Sequence, residues 1–254
     1  MKIEECNSKD VTIQKAAQDV TKIINEETQR PMLLLCAGGS VLEMLESVVV
    51  GENMEHVTVT ILDERFEKGN PEINNFAQLS KTGFYKKLQQ SRGKTIDLQI
   101  KEHESMQEYT DRFEKSLHQW GEQYSYGLIA AVVGIGHDGH IAGIFSQPYE
   151  ARDPQWFHAM FDNPEKWVVG YRVPHTENQF TKRVSVTLSF LRVHVKQVVA
   201  YAVGAHKEDA IKKLLIEPSV LCDAPARILN EMTDVTLYTD ATIDQTVAQD
   251  SNII

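Results

Sequence analysis

The chain has 254 residues, 42% of them hydrophobic and 24% charged, with a formal net charge of −10. That is a globular balance; no run of about twenty apolar residues offers a membrane span, and the acidic excess argues against a nucleic-acid surface, which needs clustered Lys and Arg. The three cysteines, Cys6, Cys36 and Cys222, are scattered without CxxC spacing, and the polar start MKIEECNSKD lacks the apolar core of a signal peptide, so a reducing, cytoplasmic setting is expected.

The first predicted element is a helix from Val11 to about Glu27. Its Ile13, Ala16, Ala17, Val20, Ile23 and Ile24 recur at three- and four-residue spacing and make one apolar face. A buried strand at 32–36 (MLLLC) is broken by Ala37-Gly38-Gly39-Ser40, and a helix begins near Val41. The β-branched run VTVTIL at 57–62 reads as a strand of a parallel sheet covered on both faces, and it runs into Asp63-Glu64-Arg65. A helix at about 75–88 and a strand at 95–100 (TIDLQI) follow. Met106, Tyr109, Phe113, Leu117 and Trp120 mark the next amphipathic helix. The most hydrophobic strand, LIAAVV at 128–133, ends in Gly134-Ile135-Gly136-His137-Asp138-Gly139-His140. Further strands are predicted at 167–173, 183–188 and 196–203, then a helix carrying Ala210, Ile211, Leu214 and Leu215, and a last strand at 235–239. Strand and helix alternate without repeats or linkers. The expected fold is α/β: one domain over 1–254, an open, mostly parallel sheet with helices on both faces.

In such sheets ligands bind beyond the carboxyl ends of the strands, near a switch in strand order. The polar clusters GGS, DER and GHDGH all follow predicted strands, which places the site. At Gly38-Gly39-Ser40 the glycines let the backbone approach a ligand, and the amides at the helix start suit a phosphate; the plainer alternative is a tight turn with Ser40 as a helix cap. Ser40 is not in a G-x-S-x-G elbow and is not read as a nucleophile. Residues 134–139 match G-x-G-x-x-G literally. However, Asp138 would put a negative charge where a pyrophosphate should lie, and the strand before it comes late in the chain, so nucleotide binding is not expected.

Acid–base work suits that loop better. His140 can titrate near neutral pH, and Asp138 can accept its ring N–H, fixing tautomer and orientation. His137, Asp138 and His140 are too few and too close in sequence to close a metal site. Asp63-Glu64-Arg65 offers an acid pair and a guanidinium at another strand end, the plainer alternative being a solvated, self-neutralising turn. Arg183 and Lys207 are the remaining cations that could meet a phosphate. Trp120, Trp156 and Trp167 read as core or rim.

Together these segments resemble the 6-phosphogluconolactonases, within the wider glucosamine-6-phosphate deaminase/isomerase superfamily with its Rossmann-like sheet. The resemblance runs in order through GGSVLEML (38–45), LDERFEKGNPEINNF (62–76), VVGIGHDGHIAGIF (132–145), KRVSVTLSFL (182–191), VGAHKEDAIKKLL (203–215) and APARIL (224–229). It implies His140 as general base and Asp138 as its supporting acid, and Gly38, Gly39 and Ser40 as the phosphate loop. Arg183 and Lys207 are then cations near the phosphate, and Asp63 and Arg65 site residues. The implied reaction is hydrolysis of a phosphorylated sugar lactone, without cofactor or metal. The expected partner is a sugar phosphate, with no nucleic acid and no membrane.

Deaminases of the superfamily carry a catalytic Glu five residues after the His, where this chain has Phe145, and more often D-E-Y than D-E-R. Both differences favour the lactonase over a deaminase or isomerase. A non-catalytic sugar-phosphate sensor is a third possibility, and no helix-turn-helix segment accompanies it here. His137, Ile141 and Ser146 depart from the lactonases' usual Pro, Thr and Pro, and Gly69-Asn70-Pro71 is atypical, but the His and Asp are intact.

Overall fold

A computed structural model describes residues 1–26, 28–146, 153–173, 179–215 and 220–242; Glu27, the end expected for the first helix, lies outside them. The strands are β1 (Lys2–Glu5), β2 (Met32–Cys36), β3 (Val57–Ile61), β4 (Asp63–Arg65), β5 (Lys94–Thr95), β6 (Leu128–Gly134), β7 (Val168–Arg172), β8 (Lys182–Val186), β9 (Gln197–Ala202) and β10 (Asp234–Thr239). The α-helices are α1 (Lys9–Glu26), α2 (Ser40–Leu45), α3 (Asn75–Lys81), α4 (Gly83–Gln90), α5 (Met106–Gln123), α6 (Pro154–Phe161), α7 (Leu188–His194) and α8 (Glu208–Leu215).

Seven strands form one sheet in the order β1-β10-β9-β6-β2-β3-β5, and every pair in it is parallel. Strands β2 and β3 are buried along their whole length, as a sheet covered on both faces requires. The chain steps outward from β2 to β3 and β5, then returns to the other side of β2 with β6. The order therefore reverses between β2 and β6, and the loops after these two strands flank a crevice at their carboxyl ends.

The expected strand–helix alternation fails first between β3 and β4, which only Leu62 separates, and again between β7 and β8. Strands β4, β8 and β7 make a second, antiparallel sheet that the hydropathy pattern did not reveal, because β4 is three polar residues. Leu62 joins the two sheets: its N–H donates to the Cys36 carbonyl (3.0 Å) of β2, and its own carbonyl accepts the Val186 N–H (3.0 Å) from the end of β8.

Three boundaries differ for local reasons. The helix expected at about 75–88 is two, since Thr82 leaves helical geometry and its side chain accepts the Tyr85 N–H (3.1 Å) as the cap of α4. The strand expected at 95–100 pairs only through Lys94 and Thr95. Beyond it Asp97 accepts the Gln99 N–H, and the Arg112 guanidinium takes the Asp97 and Gln99 carbonyls that a ladder would use. The strand expected at 183–188 stops at Val186 because Thr187 caps α7, accepting the Phe190 N–H (3.0 Å). All three cysteines are buried, and no described helix is long and apolar enough to cross a membrane.

Glu64 is fully buried. Its carboxylate accepts N–H groups from Arg65 (2.8 Å), Asn75 (2.5 Å) and Phe76 (3.0 Å), tying β4 to the first turn of α3. Burial pushes this carboxyl up to about 8, against the pull of those three donors. An acid held above its ordinary 4.5 in the native state keeps its proton where the unfolded chain has lost it, so its contribution to stability is lost as pH rises from 4.5 to about 8. Urea denaturation of the parent and of Glu64→Gln across that window should show the parent losing stability relative to the variant as pH rises. A pH-independent difference would mean that Glu64 does not titrate there.

Candidate active site

A cleft of about 520 Å³ lies at the crevice between β2 and β6. Gly38, Gly39, Ser40, Asp63, Arg65, His140, Arg183 and Lys207 all line it. Asp138 stands behind His140, so the residues singled out in the sequence converge on one place. A separate groove of about 380 Å³ beside α1, β9 and β10 is lined by Asp19, Glu26, Asp234 and a single cation, Lys22; it offers an anion little attraction.

His140 is placed by the turn after β6. The Gly136 N–H donates to the His140 carbonyl (2.8 Å), and Gly139 takes φ 91°, a left-handed conformation that favours glycine. A Cβ on Gly136 would collide with the imidazole, so the ring packs where only glycine leaves room. No helix starts within residues 134–146, so the G-x-G-x-x-G match lacks the helix N-terminus that a dinucleotide site needs.

His140 Nδ1 lies 2.6 Å from Asp138 Oδ1, which also accepts the His140 main-chain N–H at 3.2 Å. Burial would push the Asp138 carboxyl up, but the hydrogen bonds and charge of His140 outweigh it and hold the group at about 2. An ionised carboxylate only accepts, so a neutral His140 ring carries its proton on Nδ1 and has its lone pair on Nε2. Ser146 donates from Oγ to the Asp138 carbonyl (2.8 Å) and closes the same turn.

The segment Asp63-Glu64-Arg65 is not the solvated turn that was its plainer reading. It is strand β4, with Asp63 and Glu64 buried and alternating in direction, so that Asp63 and Arg65 line the cleft while Glu64 does not. The cations converge unusually: Arg65 and Arg183 are directly opposed across the β4–β8 pair. Like charges so placed repel unless something negative lies between them. The Nε of each guanidinium is buried and has no hydrogen-bond partner among the described residues. Arg183 Nη1 is 3.8 Å from Asp63 Oδ2. Burial lowers the pKa of Arg183 and raises that of Asp63, and their mutual attraction opposes both shifts. Lys207 reaches the Ile135 carbonyl with Nζ (2.7 Å), and burial pulls its pKa down.

The two glycines after β2 differ in purpose. Gly39 takes φ 67° at the N-cap of α2 and faces open space, while a Cβ on Gly38 would collide with the Asn75 amide. Ser40 is exposed and follows the cap position, and Gly39 caps α2 without a side-chain hydrogen bond, so the expected Ser cap is not formed.

Sequence reasoning missed Asn75, Phe145 and Tyr171 as site builders. Asn75 donates from Nδ2 to the Asp63 carbonyl (2.8 Å) and carboxylate (3.2 Å). The Phe145 ring lies 4.5 Å from the His140 ring and 5.1 Å from the Arg183 guanidinium, so it touches both side chains. Tyr171 donates to the Gly143 carbonyl (2.5 Å) and accepts the Phe145 N–H (3.2 Å). These roles depend on contacts distant in sequence; the only local signal was the residue type at 145.

The family described as glucosamine-6-phosphate isomerases/6-phosphogluconolactonase matches residues 7–238. A 6-phosphogluconolactonase of Borreliella burgdorferi is 25% identical over 222 residues, covering 84% of this chain and 85% of the relative. Among solved structures, 6-phosphogluconolactonase from Plasmodium vivax superposes with a TM-score of 0.74 at 16% identity, over 97% of this chain and 94% of that one. The Trypanosoma brucei 6-phosphogluconolactonase gives 0.73 at 16% identity, over 98% of each chain.

Nitrogen NMR of the imidazole should find the neutral His140 ring protonated at Nδ1. In Asp138→Asn, where a side-chain amide can also donate, that tautomer should lose its predominance. An unchanged tautomer in the variant would mean that Asp138 does not set it.

Proposed function

This chain belongs to the glucosamine-6-phosphate isomerase/6-phosphogluconolactonase family, and from that premise we propose that it hydrolyses 6-phosphoglucono-1,5-lactone to 6-phosphogluconate, a step of the pentose phosphate pathway. The observation that carries this reading is one cleft holding a tautomer-fixed imidazole beside two opposed arginines and a lysine. The imidazole suits removal of a proton from water, and the cations suit a phosphate.

In the proposed step Nε2 of His140 takes a proton from a water as that water attacks the lactone carbonyl. The carbonyl electron pair moves onto oxygen. When the pair returns, the ring C–O bond breaks and the imidazolium returns its proton to the leaving ring oxygen. Asp138 stabilises the imidazolium between these transfers. Gly38, Gly39 and Ser40 with Arg183 and Lys207 hold the phosphate, and Asp63 and Arg65 complete the site. No step calls on a cofactor or metal, and the reading takes residues 1–254 as one cytoplasmic domain. Phe145 carries no proton, which counts against the deaminase chemistry of the same family.

A coupled assay with freshly generated lactone, corrected for spontaneous hydrolysis, tests the proposal. His140→Ala should lower kcat by about 10²–10⁴-fold while 6-phosphogluconate still binds. Full activity in that variant would remove His140 as the base. Ammonia release from glucosamine 6-phosphate, with no acceleration of lactone opening, would overturn the assignment.

A further inference from the structure

The step above leaves negative charge on the former carbonyl oxygen, and a hydrolase that stabilises it needs hydrogen-bond donors held in place beforehand. The turn two residues after His140 has the required form. The Ile144 N–H donates to the Ile141 carbonyl (2.8 Å), enclosing Ala142 (φ 49°) and Gly143 (φ 67°), both left-handed. Glycine adopts that conformation freely; alanine does so at a cost, and such strain collects at functional sites.

Both residues line the cleft. The carbonyls around them are engaged elsewhere: Ile141 by the Ile144 N–H, Ala142 by the hydroxyl of the fully buried Ser185, which shares its one hydrogen with the Val186 carbonyl (2.8 Å), and Gly143 by the Tyr171 hydroxyl. Neither the Ala142 N–H nor the Gly143 N–H has a partner among the described residues. Buried amides without partners are rare in folded proteins and call for an explanation. A trans peptide is planar, so its N–H points opposite to its C=O. Ser185 holds the Ala142 oxygen on the buried side, which turns the Gly143 N–H away from it. The neighbouring Asp63 carboxylate is faced by Arg183, so its charge is partly offset at the turn.

We propose that the main-chain N–H groups of Ala142 and Gly143 are the donors that stabilise the oxyanion, and that Ser185 is the positioning residue that keeps the 142–143 peptide from rotating. The inference rests on the lactonase reading and adds the donors that reading lacks. Ala142 and Gly143 would touch the reacting oxygen; Ser185 would act only through them.

Ser185→Ala frees the Ala142 carbonyl. The expected result is a fall in kcat of about tenfold or more. KM and the affinity for 6-phosphogluconate should stay within about twofold, since the product carries no tetrahedral oxyanion. The pH dependence set by His140 should not move. A purely structural role would weaken product binding together with kcat, and that joint loss would overturn the proposal, as would an unchanged kcat. Should Ser185→Ala fail to fold, glycolic acid incorporated in place of Gly143 replaces its N–H by an ester oxygen and leaves Ser185 alone. That substitution should cost about 10²-fold in kcat, and full activity in it would refute the role of the Gly143 N–H. A parent protein that does not open the lactone would instead overturn the reading of the previous subsection, and this inference with it.

Discussion

One residue, Leu62, belongs to both sheets, and the site depends on that double attachment. Its N–H is bound to β2 and its carbonyl to the end of β8, so the chain passes from the parallel sheet into the antiparallel one without a loop. The residue that follows is therefore delivered rigidly: Asp63 arrives at the crevice opened by the reversal between β2 and β6. A flexible connection would have left Asp63 and Arg65 free to turn to solvent, where a short charged segment is more stable. Held in β4, they alternate in direction, with Glu64 anchoring α3 on one side and Asp63 and Arg65 facing the cleft on the other.

The electrostatic arrangement of the cleft follows from this register. Arg65 faces Arg183 because Asp63 faces Ser185. Two guanidiniums side by side, each with a buried Nε that has no hydrogen-bond partner among the described residues, make a poor stability device and would suit an anion between them. The net charge of −10 is no obstacle, since binding depends on the local field and not on the sum. On the far wall, Asp138 and His140 carry their own compensation within three residues. Phe145 packs against both the imidazole and the Arg183 guanidinium. The imidazole and the cations thus share one cavity.

The same register supports the turn at Ala142 and Gly143. Ser185, the partner of Asp63 across β4 and β8, gives its hydroxyl to the Ala142 carbonyl, and Tyr171 of β7 gives its own to Gly143. The small sheet therefore serves both the cations and the main-chain groups beside His140.

Much of this was legible in the residue order. Local periodicity revealed α1, α5 and the buried strands, because apolar spacing reports one exposed face or none. The glycine-rich turns after β2 and β6 marked the site, since glycine and polar residues directly after a buried strand have few other uses there. The contact between Asp138 and His140 spans two residues, so its chemistry could be read from the chain alone. The strand β4, the opposition of Arg65 and Arg183, the collision that forbids a side chain at Gly38, and the tethering of Ala142 by Ser185 could not. Each joins residues from distant parts of the chain, and a cross-strand register is set by how the sheets pack, about which a polar tripeptide carries no periodic signal. The sequence by itself determined the pairing of Asp138 with His140 and the sheet that carries them; the tertiary structure alone decided which charges meet, which face each residue of β4 presents, and which backbone amides are left without partners among the described residues, because those depend on pairing across the fold and not along it.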